Sequence, residues 1–302
     1  MHELFRALAV LAEPPEDQTA AVAASLGIGG EIEAADYTEL FVRSLYPYAS
    51  VYLGAEGMLG GEARDRIAGF WRALGVQPPA EPDHLATLLG AYASLLEAEG
   101  AAEGASRDAW RHARRAFLFE HLASWLPPYL RKLGEIAPAP YAHWGRLLLA
   151  AVEESLGDLE PPETAPSHFR ELGSLADPRV EGVTEFLASL LAPARSGAIV
   201  TANDLTRAAR ELELGLRYGE RRYVLEALFA QDPYRVLDWL AGETERWGGL
   251  HRSSLLPAGA REHWIERAQR SAALLRSLAE TTLEIGATRP SSGAAGTAQI
   301  LS

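Results

Sequence analysis

Apolar residues recur along most of this chain at three- and four-residue spacing, the mark of helices that bury one face. Leu4, Phe5, Leu8 and Leu11 predict a short helix over residues 2–12. Glu16 to Leu26 forms a second, ended by Gly27 and the Gly29-Gly30 pair. Tyr37, Leu40 and Phe41 mark a third from Glu33 to Leu45, and Ile67, Phe70, Trp71 and Leu74 a fourth from Glu62 to Leu74. Between these two, Tyr46 to Gly61 loses the period and reads as a loop of aromatic and small residues. The stretch from Glu81 to Tyr129 holds a central pair of helices. Pro82 disfavours helix at the residue before it, Asp83 takes the N-cap place, and Leu85, Leu88, Leu89, Tyr92, Leu95 and Leu96 share one face. The partner starts after Ser106, places Trp110, Ala113, Phe117, His121 and Trp125 on one flank, and is expected to stop at Pro127-Pro128. Two helices joined by a short loop predict an antiparallel pair inside a bundle. Tyr141, Trp144, Leu147, Leu148 and Val152 define one more helix, from Ala139 or Pro140 to about Gly157.

The pattern then breaks at Asp158 to Pro166, a proline-rich acidic run that reads as a linker or as a loop within one body. Helical spacing returns over Val180–Leu191, Thr201–Leu214, Gly219–Ala230, Pro233–Trp247 and Ala260 to about Ile285. Thr201-Ala202-Asn203-Asp204 has the form of a capping box with Asp in place of Glu. Only Ala198 to Thr201 suggests a strand, so the fold class is all-α, a helical bundle with an additional C-terminal helical region. The expected organisation is a bundle over 1–157, a linker or loop over 158–168, a helical extension over 169–286, and a flexible tail over 287–302.

Composition narrows what such a bundle can do. At 302 residues and 48% apolar content the chain can bury a sizeable core. It has no cysteine, which removes disulfides, thiolate metal sites and cysteine nucleophiles together and suits a cytoplasmic location. Met1 to Arg6 carries no basic leader ahead of a cleavable apolar run, and no stretch reaches membrane-spanning length, so neither a signal peptide nor membrane insertion is expected. A net charge of −13 disfavours nucleic acid and anionic membranes and is compatible with a basic peptide partner. Solubility alone also explains an acidic surface.

Catalytic motifs are scarce. The Gly27-x-Gly29-Gly30 run lacks both the preceding strand and the following Lys-Ser/Thr of a phosphate loop, and reads as a helix end. His-Glu-x-x-His, Gly-x-Ser-x-Gly and Walker sequences are absent. With eight scattered histidines and no cysteine, no metal and no other cofactor is expected. Asp83, His84 and His121 are the candidates for acid–base chemistry. Asp83 is equally explained as a cap, and His121 among Phe117, Leu122 and Trp125 as a packed histidine. A hydrolase or lyase is therefore the weakest reading, and the chain is expected not to be an enzyme. A ligand-sensing regulator is the alternative: Arg207, Arg210, Arg217, Arg221 and Arg222 flank Leu214-Gly215-Leu216 as in a helix-turn-helix, opposed by the net charge and by Glu211, Glu213, Glu220 and Glu226.

Three ordered elements carry a family resemblance. Tyr37, Leu40-Phe41 and Pro47-Tyr48-Ala49-Ser50-Val51-Tyr52-Leu53 form the first, Glu81-Pro82-Asp83-His84 the second, and Phe117 through Pro128 the third. Over residues 30–155 the chain resembles the TorD/DmsD/NarJ family of cytoplasmic chaperones for molybdenum-containing oxidoreductases, and beyond about 165 it does not. The resemblance implies a non-enzymatic partner of the apo catalytic subunit of a molybdopterin enzyme and of its twin-arginine leader, as a monomer or dimer. Carried over by position, Glu81, Asp83 and His84 become leader-binding candidates. Tyr52 and Trp125 become groove walls, and Glu120 and His121 join them from the third element. Chemistry agrees in sign, because paired arginines want carboxylates and an apolar leader segment wants an aromatic-lined groove.

Overall fold

A computed structural model of the chain describes residues 1–288, with the backbone alone for 285–288. The tail expected over 287–302 therefore lies, but for its first two residues, outside the described residues. Among these no strand forms. The nearest approach to a strand is an isolated antiparallel bridge between Tyr48 and His84. Ala198 to Val200 are buried in non-helical chain without a strand partner, which corrects the one strand-like expectation.

The chain divides into two compact units. The first comprises Met1–Gly54, Met58–Arg170 and Ser254–Ala260, and the second Ala55–Gly57, Glu171–Ser253 and the residues from Arg261 on. Among the described residues the first unit holds nine α-helices: α1 His2–Val10, α2 Thr19–Ser25, α3 Ala34–Tyr37, α4 Ala49–Leu53, α5 Gly61–Ala73, α6 Leu85–Ala101, α7 Gly104–Phe117, α8 Leu126–Ile136 and α9 Ala139–Gly157. α1 lies along α6, where Phe5 meets Tyr92 edge to face at 4.8 Å, and α6 lies along α7. Trp144 of α9 donates its indole N–H to the Leu8 carbonyl at 3.0 Å and meets Phe41 edge-on, tying α9 to the same core. α8 and α9 approach so closely that a side chain at Gly145 would meet Leu133 at 2.8 Å.

Two helices end differently from the periodic reading. α3 runs on as a π-helical turn, Thr38–Ser44, and α7 as another, Leu118–Leu122, each closed by an i to i+5 hydrogen bond of 2.7 Å. The prolines at 127 and 128 do not stop the helix before them. They occupy the first turn of α8, where a proline removes no hydrogen bond that the helix needs. Ala123 to Trp125 make the break instead.

The second unit holds α10 Pro178–Glu181, α11 Val183–Leu190, α12 Pro193–Ser196, α13 Ala202–Glu211, α14 Arg221–Phe229, α15 Pro233–Arg252 and most of α16, Ala258–Thr288. Gly182, at φ +84°, splits the helix expected over 180–191 into α10 and α11. The capping box is present in both directions, with Thr201 accepting from the Asp204 N–H and Asp204 accepting from the Thr201 N–H. Between α13 and α14, Gly215 exchanges two hydrogen bonds with the Gln231 side chain. Four of the five flanking arginines are engaged within this unit: Arg207 with Asp204 and Glu243, Arg222 with Glu226, Arg217 with Tyr223, and Arg221 on the Val200 carbonyl.

Candidate functional site

The seven residues singled out in the sequence fall into three places in the first unit. Glu81, Asp83 and His84 form one corner, Glu120 and His121 another, and Tyr52 and Trp125 lie in the interior between the helices.

The first corner is built where the chain before α4 meets the chain before α6. The Asp83 carbonyl accepts from Ala49 N–H at 2.9 Å, and the Pro47 carbonyl from Leu85 N–H at 2.7 Å. Asp83 is buried and its carboxylate accepts from Ser50 N–H at 3.3 Å, so it serves the first turn of α4 and not its own helix. The N-cap of α6 is His84, whose Nδ1 accepts from Ala86 N–H at 3.3 Å. This corrects the expected capping role of Asp83: the tight crossing of the two segments brings its carboxylate closer to another helix than to its own. His84 lies edge-on to Tyr48 at 4.8 Å, and the Tyr48 hydroxyl donates to Glu81 at 3.0 Å. Glu13, from the turn after α1, comes within 3.6 Å of His84 Nδ1. Burial pushes the His84 pKa down, opposed by Glu13, Glu81 and Asp83, and burial together with the Glu81 hydrogen bond pushes the Tyr48 hydroxyl up. Glu13 and Glu81 are exposed, and neither pairs with an arginine or lysine among the described residues. The corner thus shows two carboxylates and a half-buried tyrosine ring to solvent, over a buried Asp and His that fix its backbone.

The second corner gathers around the π-helical turn after α7. Glu120 accepts from both the N–H and the hydroxyl of Ser167, each at 2.7 Å. His121 Nδ1 lies 3.1 Å from His168 Nε2, so two consecutive residues of the turn hold two consecutive residues of the 158–170 segment. Phe70 and Phe117 flank the His121 ring at 5.3 and 5.7 Å. Burial, then the neighbouring His168, lowers His121 to about 3. Burial, then Arg66, lowers His168 to about 4. Both rings are neutral at pH 7.

Tyr52 and Trp125 stack on each other at 5.1 Å and 8°, both almost completely buried. They support the wall between the two corners from within and present no surface of their own. The periodic pattern could not show this, because a helical stripe does not say which of its aromatics meets a neighbour and which meets water. Glu13, Tyr48, Ser167 and His168 are the residues that sequence reading did not place at these corners. No local signal marks Glu13, which sits in an acidic run between helices, and Ser167 and His168 lie in a stretch that reads only as linker. Among the described residues no group of three or more His, Asp or Glu side chains is arranged to hold a metal ion.

Residues 29–131 match the family model described as "Nitrate reductase delta subunit". Over that stretch the chain is similar to this family. The matched segment contains all seven candidate residues, from Tyr52 to Trp125, and excludes Glu13, Ser167 and His168. A "Chaperone protein TorD" of Vibrio vulnificus is 34% identical over 116 residues, which is 34% of this chain and 52% of that protein. A "Selenate reductase assembly chaperone protein" of Thauera selenatis is 44% identical over 85 residues, covering 26% of this chain and 44% of the relative. A "Chlorate reductase assembly chaperone protein" of Ideonella dechloratans is 43% identical over 82 residues, 26% and 42% of the two chains. The chain spans about half the length of the curated relatives it matches, or less. No helix among the described residues is long and apolar enough to cross a membrane.

Proposed function

We propose that this protein is a cytoplasmic, non-enzymatic chaperone that holds the apo catalytic subunit of a molybdopterin oxidoreductase, with its twin-arginine leader, until cofactor is inserted. The first unit is the client-binding domain in this reading, and the second an added helical body. The names of the relatives, a TorD chaperone and two reductase assembly chaperones, support the class. The observation that carries the site is the pair of exposed carboxylates, Glu13 and Glu81, beside the Tyr48 ring, with no arginine or lysine partner among the described residues. Two arginines of an extended leader would meet two carboxylates there, each able to accept a planar pair of N–H donors, with the tyrosine ring against a guanidinium face. Asp83 and His84 act as positioning residues in this scheme, and Tyr52 and Trp125 as its internal support. Glu120 and His121 belong to the neighbouring, covered face.

Affinity capture from the native cytoplasm with the parent chain and with a Glu13→Ala, Glu81→Ala double variant tests this. The parent is expected to recover a molybdopterin-enzyme catalytic subunit. The variant should bind a synthetic leader at least about tenfold more weakly, as the loss of a charge-assisted hydrogen bond implies, with its melting temperature unchanged. Recovery of no such subunit, or equal leader affinity in the two chains, would overturn the reading.

A further inference from the structure

We propose that residues 158–170 form a releasable strap over the face made by Phe70, Phe117, Glu120 and His121, firmly anchored at its start and built to lift at its His168 end. The start is held by charge. Arg114, buried in α7, donates to the Asp158 carboxylate at 2.5 Å and to Glu99 of α6 at 2.5 Å, while Arg111 donates to the Asp158 carbonyl at 2.6 Å. Arg115 adds a bond to the Glu160 carbonyl at 2.6 Å. From Glu160 to Thr164 the strap is then largely exposed, and it crosses Gly259, where only the missing side chain lets the Ala165 backbone approach.

The far end is held differently. Ser167 is fastened through Glu120, and its carbonyl accepts from Arg66 of α5 at 2.9 Å. Next to it, the contact between His121 and His168 joins two neutral rings, one of which must donate and the other accept. Whichever ring donates, the second ring nitrogen of His168 is buried with no hydrogen-bond partner among the described residues. A buried polar group left unmet costs free energy that water would restore. The closed strap therefore carries a penalty at this joint, and lifting removes it. What lifting uncovers is an aromatic face, with the Phe70 and Phe117 rings 5.1 Å apart and one carboxylate, Glu120, at its edge.

Acid should favour the lifted form. The charged or titratable groups facing His168 are His121 and Glu120 from the π-helical turn and Arg66 and Glu62 from α5, and burial dominates over all of them. Exposed to water, His168 regains an ordinary pKa near 6.5. Its folded value is depressed, so its contribution to closure is full above about pH 6.5 and is lost as pH falls towards 4. Glu120 and His121 lie in the family-matched segment, so a strap over them would set how much of this face a client can meet. That consequence rests on the proposed chaperone function, whereas the lifting does not.

Amide hydrogen exchange of the full chain, corrected for intrinsic rates and followed from pH 7.5 to 5, tests the strap without any client. Peptides spanning 160–170 are expected to exchange faster than those of α6, with protection falling about tenfold per pH unit below 6.5. A His121→Phe, His168→Phe double variant, which keeps both rings and leaves no unmet nitrogen at the joint, should slow that exchange and abolish its pH dependence. Strap protection equal to that of α6, or a pH dependence that persists in the double variant, would overturn the proposal. The outcome is separate from that of client capture, since no client is present.

Discussion

At Asp83 and His84, two adjacent polar side chains lie buried within one turn of chain and serve different helices. Asp83 accepts from the Ser50 N–H at the start of α4, and His84 from the Ala86 N–H at the start of α6. Removing the Asp83 carboxylate strands a buried N–H, for which a cost of roughly 1–3 kcal/mol is usual. Asp83→Ala should therefore lower the unfolding free energy by about that much in urea titration, while its effect on leader affinity stays smaller than that of Glu81→Ala. The opposite order, a stable Asp83→Ala chain that no longer binds, would make Asp83 a contact residue. At this scale the sequence was only partly legible. The Glu-Pro-Asp-His string announced a helix start and a family element, but not that the cap would be the histidine. That depended on which backbone N–H the 47–50 segment brought within reach.

Helix ends show how far local chemistry carries. The Thr201–Asp204 capping box could be read from four residues because all its partners lie within one turn. Glycines depend on more distant partners. Gly182 and Gly197 have similar positive φ values, +84° and +75°, yet a side chain at Gly182 meets nothing, whereas at Gly197 it would lie 2.2 Å from the Ala268 backbone nitrogen of α16. Gly182→Ala is expected to cost roughly 1–3 kcal/mol from backbone conformation alone. Gly197→Ala should cost well beyond that, or prevent the second unit from folding. Thermal melts of the two variants side by side would check the contrast, and equal losses would contradict it. The π-helical turns belong to the same lesson. Apolar spacing predicted helix through Phe117 to His121, but the extra residue per turn shifts what lies beyond it. No three- or four-residue pattern reports that shift.

Among the described residues, five buried histidines, His84 included, make stability depend on pH in one direction. Burial lowers His121 to about 3 and His168, His251 and His263 to about 4. The last two lie against the backbone carbonyls of Gly197 and Ala194 in the second unit. Each is depressed relative to its unfolded value, so its contribution is present above about pH 6.5 and lost as pH falls towards 4, at up to about 1.4 kcal/mol per pH unit for each group. The melting temperature is expected to fall steadily between pH 6.5 and 4.5, and less steeply in His251→Gln. A flat profile in the parent chain would show that these rings do not stay neutral. The hydrophobic pattern by itself determined the all-α class, most of the helices and the central pair, because helical periodicity and capping are set within a few residues. Three ordered motifs likewise carried the resemblance of residues 29–131 to the delta-subunit family. Only the tertiary structure decided which motif residues face water. It put Tyr52 and Trp125 inside, brought Glu13 to Glu81 across about seventy positions of chain, and laid Ser167 and His168 on Glu120 and His121. Those contacts join segments remote in sequence, and burial there follows from how helices pack and not from the spacing within any one of them.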